Sequence, residues 1–162
     1  MVFMVTDRKA IRLLILEDSQ NEAERIVSLF RNAGHATRVH RLTSIDDLNE
    51  ALKSTWDLCI AAPSSKNLEP LVALQTIQRT ARDISFIQLS EDPSADVRTE
   101  ALELGAQDSV PHNEDELLIL VAKRELANLE ERRQRRAVEV ALREVEKRCQ
   151  LLLDSSVDAI AY

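Results

Sequence analysis

Polar side chains stand directly after three of the chain's short apolar stretches, where they could do chemistry together. Glu17 and Asp18 follow IRLLIL, Ser90 follows FIQL, and His112 follows DSVP. Paired carboxylates can bind a divalent cation, a serine hydroxyl can become a nucleophile, and a histidine can titrate near neutral pH. The stretch DLCIA is instead followed by Ala62, which carries no reactive group. The chemistry of this set therefore depends on which elements bring these positions together.

The apolar pattern predicts five strands that alternate with helices. Strands are expected at residues 11–16, 36–42, 57–61, 85–89 and 108–110. Helices are expected at about residues 21–32, 44–54 and 67–80, from Asp92-Pro93 to Gly105, and at 113–153. This alternation predicts an α/β fold with a doubly wound, mostly parallel five-stranded sheet. Since ligands bind such sheets at the carboxyl ends of the strands, we expect the strand-end residues to share one cleft.

Composition excludes several classes of protein. The 162 residues are 44% hydrophobic, which is enough for one domain with a core. A net charge of −7 argues against general nucleic-acid binding, because phosphate would repel the chain. Two distant cysteines, Cys59 and Cys149, do not form a disulfide framework and favour the reducing cytoplasm. We find neither a signal peptide nor the roughly 18 apolar residues of a membrane span, so no membrane insertion is expected.

The strand ends resemble those of the response-regulator receiver family. LLILEDSQ, WDLCIAA, FIQLSED and ALELGAQDSVPHN read like receiver strand ends, and their spacing allows a match without gaps over residues 9–122. The resemblance implies a flavodoxin-like (CheY-like) sheet with strand order 2-1-3-4-5. In that family the acidic pair and a third-strand aspartate hold Mg²⁺, and this aspartate accepts a phosphoryl group. In the same family, a Ser or Thr after the fourth strand and a Lys after the fifth contact the phosphoryl oxygens. An aromatic residue on the fifth strand reports the change of state on phosphorylation.

The chain departs from the receiver pattern at three of these positions. Ala62 replaces the acceptor aspartate, His112 the lysine and Ser109 the aromatic residue, while the acidic pair and the serine remain. An aspartyl phosphate needs a carboxylate nucleophile, and without the third carboxylate the Mg²⁺ site loses an anionic ligand. Asp57 stands at the opposite end of the third strand and cannot replace the missing acceptor. We therefore expect a non-enzymatic pseudo-receiver with no catalytic residue, bound metal or cofactor.

Two alternatives remain open at this level. The first is a receiver that phosphorylates itself on an unorthodox serine, namely Ser64, Ser65 or Ser90. The second is a nucleic-acid contact through the arginine-rich residues 130–136 (EERRQRR), which we rank last because the rest of the chain is acidic.

The stretch from residue 113 to residue 153 contains no glycine or proline and predicts one long helix that links domains. Apolar residues step by four and three along it, which is typical of a coiled-coil seam: Val138, Leu142, Val145, Cys149 and Leu152. Residues 130–136 interrupt the apolar stripe. Because a small domain cannot cover such a seam, we expect a second copy of the chain to do so, in a homodimer.

The end of the chain, LLLDSSVDAIAY, resembles the opening of a PAS domain, so residues 153–162 are predicted to be the start of a truncated PAS domain, in its first strand. Together with IRLLILEDSQNEAERIVSLFRNAG, this order of parts resembles the FimX-type REC–PAS–GGDEF–EAL regulators. That resemblance implies cyclic di-GMP binding by downstream domains only, protein partners in a signalling or type IV pilus-assembly pathway, and a role in twitching motility. It also implies placement at the cell pole.

Overall fold

The computed structural model describes residues 10–80, 83–91 and 95–160. One five-stranded sheet forms, and all four strand pairs are parallel, in the order β2-β1-β3-β4-β5. This confirms the predicted architecture and strand order. The strands are β1 (Ile11–Leu16), β2 (Thr37–Arg41), β3 (Leu58–Ala61), β4 (Ser85–Ser90) and β5 (Asp108–Pro111).

Five helices alternate with the strands: α1 (Gln20–Asn32), α2 (Ile45–Ala51), α3 (Pro70–Arg79), α4 (Ala95–Glu103) and α5 (Asp115–Ile160). Serine side chains begin the first two. The hydroxyl of Ser19 accepts from the Glu22 N–H at 3.4 Å, and that of Ser44 accepts from the Asp47 N–H at 3.1 Å. Each bond satisfies a backbone donor that has no partner within the helix.

Several helix bounds differ from the prediction. α3 begins at Pro70 rather than near residue 67, because Glu69 before it is extended and proline suits the first helical position. α2 ends at Ala51 instead of residue 54. The expected helix start at Asp92-Pro93 lies outside the described residues. The chain's two glycines, Gly34 and Gly105, follow α1 and α4 with φ of 90° and 105°, as expected for helix ends.

α5 begins at Asp115, two residues later than predicted, but it continues to Ile160, seven residues beyond the predicted end at residue 153. Residues 153–160 are therefore helical where a strand was expected, and their lack of glycine and proline agrees with a continuing helix, whereas residues 161 and 162 lie outside the described residues. Whether this segment opens a PAS domain stays a prediction. No helix in the described part of the chain is long and apolar enough to cross a membrane.

The chain divides into two compact units, Met1–Leu126 and Ala127–Tyr162. In the first unit, successive strand residues face opposite sides of the sheet and fill two cores. Leu13 and Ile15 pack with residues of α1 and the start of α5, whereas Leu14 and Leu16 pack with residues of α2 and α3. Burial on both faces explains why the central strands are apolar without alternation. Cys59 lies in the second core, and burial raises the pKa of its thiol to about 12, so it acts as a packing residue.

Candidate functional site

The carboxyl ends of four strands meet at one edge of the sheet. The N–H of Ala62 donates to the carbonyl of Leu16 at 2.8 Å, just beyond β1 and β3. The N–H of His112 donates to the carbonyl of Ser90 at the same distance, just beyond β4 and β5. The parallel ladder thus places the acidic pair next to Ala62, and Ser90 next to His112.

Ala62 is 3% exposed and presents only a methyl group at the end of β3. Its carbonyl accepts a hydrogen bond of 2.8 Å from the side-chain amide of Gln88, which also donates to the Leu89 carbonyl at 2.9 Å. The sequence reasoning missed Gln88, although it is the polar residue within the otherwise apolar FIQL stretch of β4. A neutral amide therefore braces the backbone at position 62, and the residue there offers no nucleophile.

Both carboxylate oxygens of Asp18 are held by the loop after β3. Oδ1 accepts from the Ser65 hydroxyl and Oδ2 from the Lys66 N–H, each at 2.7 Å. These two hydrogen bonds, with weaker contributions from the positive charges of Lys66 and Arg41, lower the pKa of Asp18 below its usual 3.8. Asp18 thus acts as an anchor that ties the β1–α1 loop to the β3–α3 loop.

Glu17 also has a local structural role. Its Oε1 accepts from the Ser19 N–H at 3.0 Å, beside the start of α1. The Arg41 guanidinium, at the end of β2, donates to the backbone carbonyls of Glu17 and Asp18 at 3.3 and 3.1 Å. The loop that carries the acidic pair is therefore fixed from two sides.

These contacts do not fit the Mg²⁺ site that the receiver resemblance implies. Mg²⁺ needs carboxylate oxygens that face it together, whereas those of Asp18 accept bonds from Ser65 and Lys66. Ala62 adds no carboxylate. In residues 10–80, 83–91 and 95–160, no group of three or more His, Cys, Asp or Glu side chains could hold a metal ion.

Ser90 and His112 lie side by side at the other half of the edge. Ser90 is 7% exposed, and its carbonyl also lies 3.3 Å from Nδ1 of the exposed His112 ring. The carbonyl of His112 accepts from Arg25 of α1, which pairs with Asp115 of α5 at 2.7 Å. These bonds hold the β5–α5 loop against α1.

β5 carries a buried carboxylate that the sequence reasoning overlooked. Asp108 pairs with Arg98 of α4 at 3.2 Å and with Arg124 of α5 at 2.7 Å. Its Oδ1 also accepts from the N–H of Ser109, which is itself 6% exposed. Ion pairing with Asp108 and Glu125 raises the pKa of Arg124. Ser109, at the position that the receiver resemblance assigns to an aromatic residue, is thus a small buried side chain beside a cluster of ion pairs.

Asp57 stands at the opposite end of β3, as expected. Its carboxylate pairs with the Arg12 guanidinium at 3.1 Å and accepts from the Arg12 N–H at 2.9 Å. Those bonds give Asp57 a structural role away from the strand-end edge.

The anchor formed by Asp18 predicts a pH-dependent effect on stability. Because its pKa is lower in the folded state, ionised Asp18 stabilises the fold above the unfolded pKa near 4, and this contribution is lost as pH falls through the folded pKa. Asp18→Asn is expected to lower the free energy of unfolding at pH 7 by less than about 1 kcal/mol, since the group is solvent-exposed. The difference should be smaller at pH 3, which lies below the usual pKa of 3.8, and should shrink further as pH falls through the folded pKa.

Urea unfolding at both pH values, with Asp46→Asn on α2 as a control, measures this difference. A gap between wild type and Asp18→Asn that is equal at pH 7 and pH 3 would contradict the assigned role of the carboxylate.

Comparison with known proteins gives matches in structure but not in sequence. No family model matches the chain, and no curated protein matches it. The Francisella response regulator 1452 receiver domain superposes with a TM-score of 0.63 at 17% identity, covering 73% of this chain and 98% of the other. A CheY-like response regulator receiver domain protein from Methanospirillum hungatei superposes at 0.64 with 15% identity, covering 76% and 99%.

A further match reaches into the long helix. A fusion that contains part of the yeast Spc42 trimeric coiled coil superposes with a TM-score of 0.65 at 18% identity, and covers 91% of this chain and 99% of the other. At such identities the comparisons establish fold alone. The five-stranded parallel sheet, its strand order and its flanking helices are those of the CheY-like receiver fold, here followed by a long C-terminal helix.

Proposed function

We propose that the chain is a pseudo-receiver: a non-enzymatic signalling module that keeps the receiver fold and acts through protein contacts without phosphorylation. The observation that carries this proposal is Ala62 at the end of β3, where the fold's acceptor carboxylate would stand. The bonds of the Asp18 carboxylate to Ser65 and Lys66 support it, because they use the oxygens that a cation would need.

Phosphorylation chemistry tests this proposal directly. Incubation of the full chain with acetyl phosphate and Mg²⁺ is expected to add no phosphoryl group in intact-mass measurements, because Ala62 puts no carboxylate nucleophile at the acceptor position. Beryllofluoride with Mg²⁺ is expected to leave its sedimentation unchanged. A stoichiometric adduct of either acid-stable or base-labile character would overturn the proposal.

The same experiment addresses the rival, a receiver that phosphorylates itself on a serine. One contact favours Ser65 as its acceptor, since the hydroxyl donates to a carboxylate oxygen of Asp18 at 2.7 Å. The lowered pKa of Asp18 makes this carboxylate a weak base at neutral pH, which disfavours the rival. An adduct that disappears in Ser65→Ala but persists in Ser64→Ala would establish the rival.

We propose further that the second unit forms a homodimer through the seam of α5. The seam side chains are largely exposed: Val138 by 66%, Leu142 and Val145 by 55%, and Leu152 by 69%. Cys149 is exposed as well. A second helix packed on this stripe would remove these side chains from water, which stabilises association. The match to a fusion with a trimeric coiled coil is compatible with such packing.

A pair of matched valines tests the seam. Val145 belongs to it, whereas Val140 lies on another face of the same helix and is equally open to solvent, at 55% and 52% exposed. Val145→Glu is expected to weaken dimerisation by about tenfold or more, because a charge would enter the apolar contact. Val140→Glu should leave it unchanged, and sedimentation equilibrium measures both.

Cys149 provides a second readout of the dimer. In a parallel, in-register pair the two Cys149 side chains would face each other, so mild oxidation is expected to give a disulfide-linked dimer. The other cysteine, Cys59, is buried and cannot form this disulfide instead.

For the valine variants, equal loss of association in Val145→Glu and Val140→Glu would show that the seam is not the contact surface.

The resemblance to FimX-type regulators supports a narrower proposal: a cytoplasmic module that helps to place a cyclic di-GMP-linked regulator at the cell pole during twitching motility. Its support is the sequence resemblance of residues 11–34 and 151–162. A fluorescent fusion of this chain, expressed in a bacterium with type IV pili, is expected to form polar foci. A uniform distribution in the presence of the pilus machinery would remove this proposal.

A further inference from the structure

A cavity of about 540 Å³ lies between α3 and α4, at the carboxyl end of β4. Ser90 and Ser65 are among its lining residues, so it opens directly beside the strand-end edge described above. Its inner part is apolar and includes Leu74 and Leu89, which are 5% and 3% exposed. Residues of α3 and α4 form two of its sides, so the cavity is a groove between these helices.

The groove has uncovered apolar walls. Leu71 on α3 and Leu104 just after α4 both line it, yet they remain 39% and 44% exposed. Clustered apolar surface of this kind marks interaction sites in globular proteins.

The rim of the groove is acidic. Glu69, Glu91 and Glu100 line it from the three elements that surround it, and all three are exposed. None of the described residues that line the groove is basic. Three carboxylates around an apolar floor repel anionic ligands and favour a cation that carries apolar groups.

We propose that this groove binds an amphipathic helix of a partner protein, with an apolar stripe flanked by lysine or arginine. A trough between two helices accepts a third, whose anchors at i, i+3 and i+4 would cover Leu71 and Leu104. Basic residues beside that stripe would reach the carboxylates of the rim. A small molecule could fill the inner cavity but would leave the exposed leucines in water, so the helix accounts for more of the surface.

This inference goes beyond the proposed function, since it concerns the face between α3 and α4 and not the seam of α5. The two can fail separately. Loss of peptide binding with unchanged sedimentation would locate a defect in the groove, whereas loss of dimerisation with unchanged peptide binding would locate it in the seam.

A model peptide tests the groove in the full chain. The probe is a fluorescein-labelled helix with leucine at i, i+3, i+4 and i+7 and lysine elsewhere, and its binding is followed by fluorescence anisotropy. We expect saturable binding that Glu91→Gln/Glu100→Gln weakens by about tenfold, since two rim charges are lost. The control Glu24→Gln/Glu50→Gln removes the same charge from exposed sites on α1 and α2 and should change the affinity less than about twofold.

A second variant and its matched control test the apolar wall of the groove. Leu71→Ser is expected to weaken binding by about tenfold, because a covered leucine contributes roughly that much to a helix-in-groove contact. Leu120→Ser on α5, 63% exposed and outside the groove, should not affect binding. Thermal unfolding of each variant reports whether the fold is intact, and exposed positions should change it little.

Three results would overturn the proposal. The first is the absence of saturable binding, and the second is equal weakening by both glutamine pairs, which would show only general attraction to an acidic protein. The third is an apolar dye that binds the groove without competing with the peptide, which would identify a small-molecule cavity.

Discussion

The hydrogen-bond ladder of a fully parallel sheet is the constraint on which the rest of this molecule depends. Parallel strands require helical crossovers, and the crossovers bury both faces of the sheet. The same directionality brings the ends of β1, β3, β4 and β5 to one edge. The residues at this edge therefore lie at the strand ends or in the loops that follow, and backbone bonds such as that from Ala62 to Leu16 set their positions.

At that edge, polar groups that could have served a reaction stabilise the loops instead. Asp18 is bonded to the β3–α3 loop, Glu17 to the start of α1, and Gln88 to the backbone at position 62. The carboxylate oxygens of Asp18 and Glu17 thus already accept hydrogen bonds from neutral donors of the loops. These bonds are the support for the proposed function based on protein contacts.

The two association surfaces proposed above differ in their chemistry. The seam of α5 belongs to the second unit and the acid-rimmed groove to the first. The seam is an apolar stripe on a helix, which suits a second copy of the same helix. The groove combines leucines with carboxylates, which suits a basic partner. Their different chemistry would let one chain hold two kinds of partner at once.

The apolar pattern was sufficient for the five strands, and the resemblance of the strand ends to receivers correctly implied their order. Apolar stretches bounded by turn residues report burial, and Ala62 is read directly from the chain. The apolar pattern was not sufficient for the start of α3 at Pro70, or for the continuation of α5 through residues 154–160, because short-range propensity does not settle helix ends.

Only the tertiary structure decided the partners of the polar groups. Nothing local in the sequence links Asp18 to Ser65, 47 positions away, or Asp108 to Arg124, since those pairs form when separate elements pack. The groove between α3 and α4 likewise depends on how two helices pack on either side of the end of β4. Sequence periodicity determines which face of an element is buried, whereas contacts between elements arise only from their packing in three dimensions.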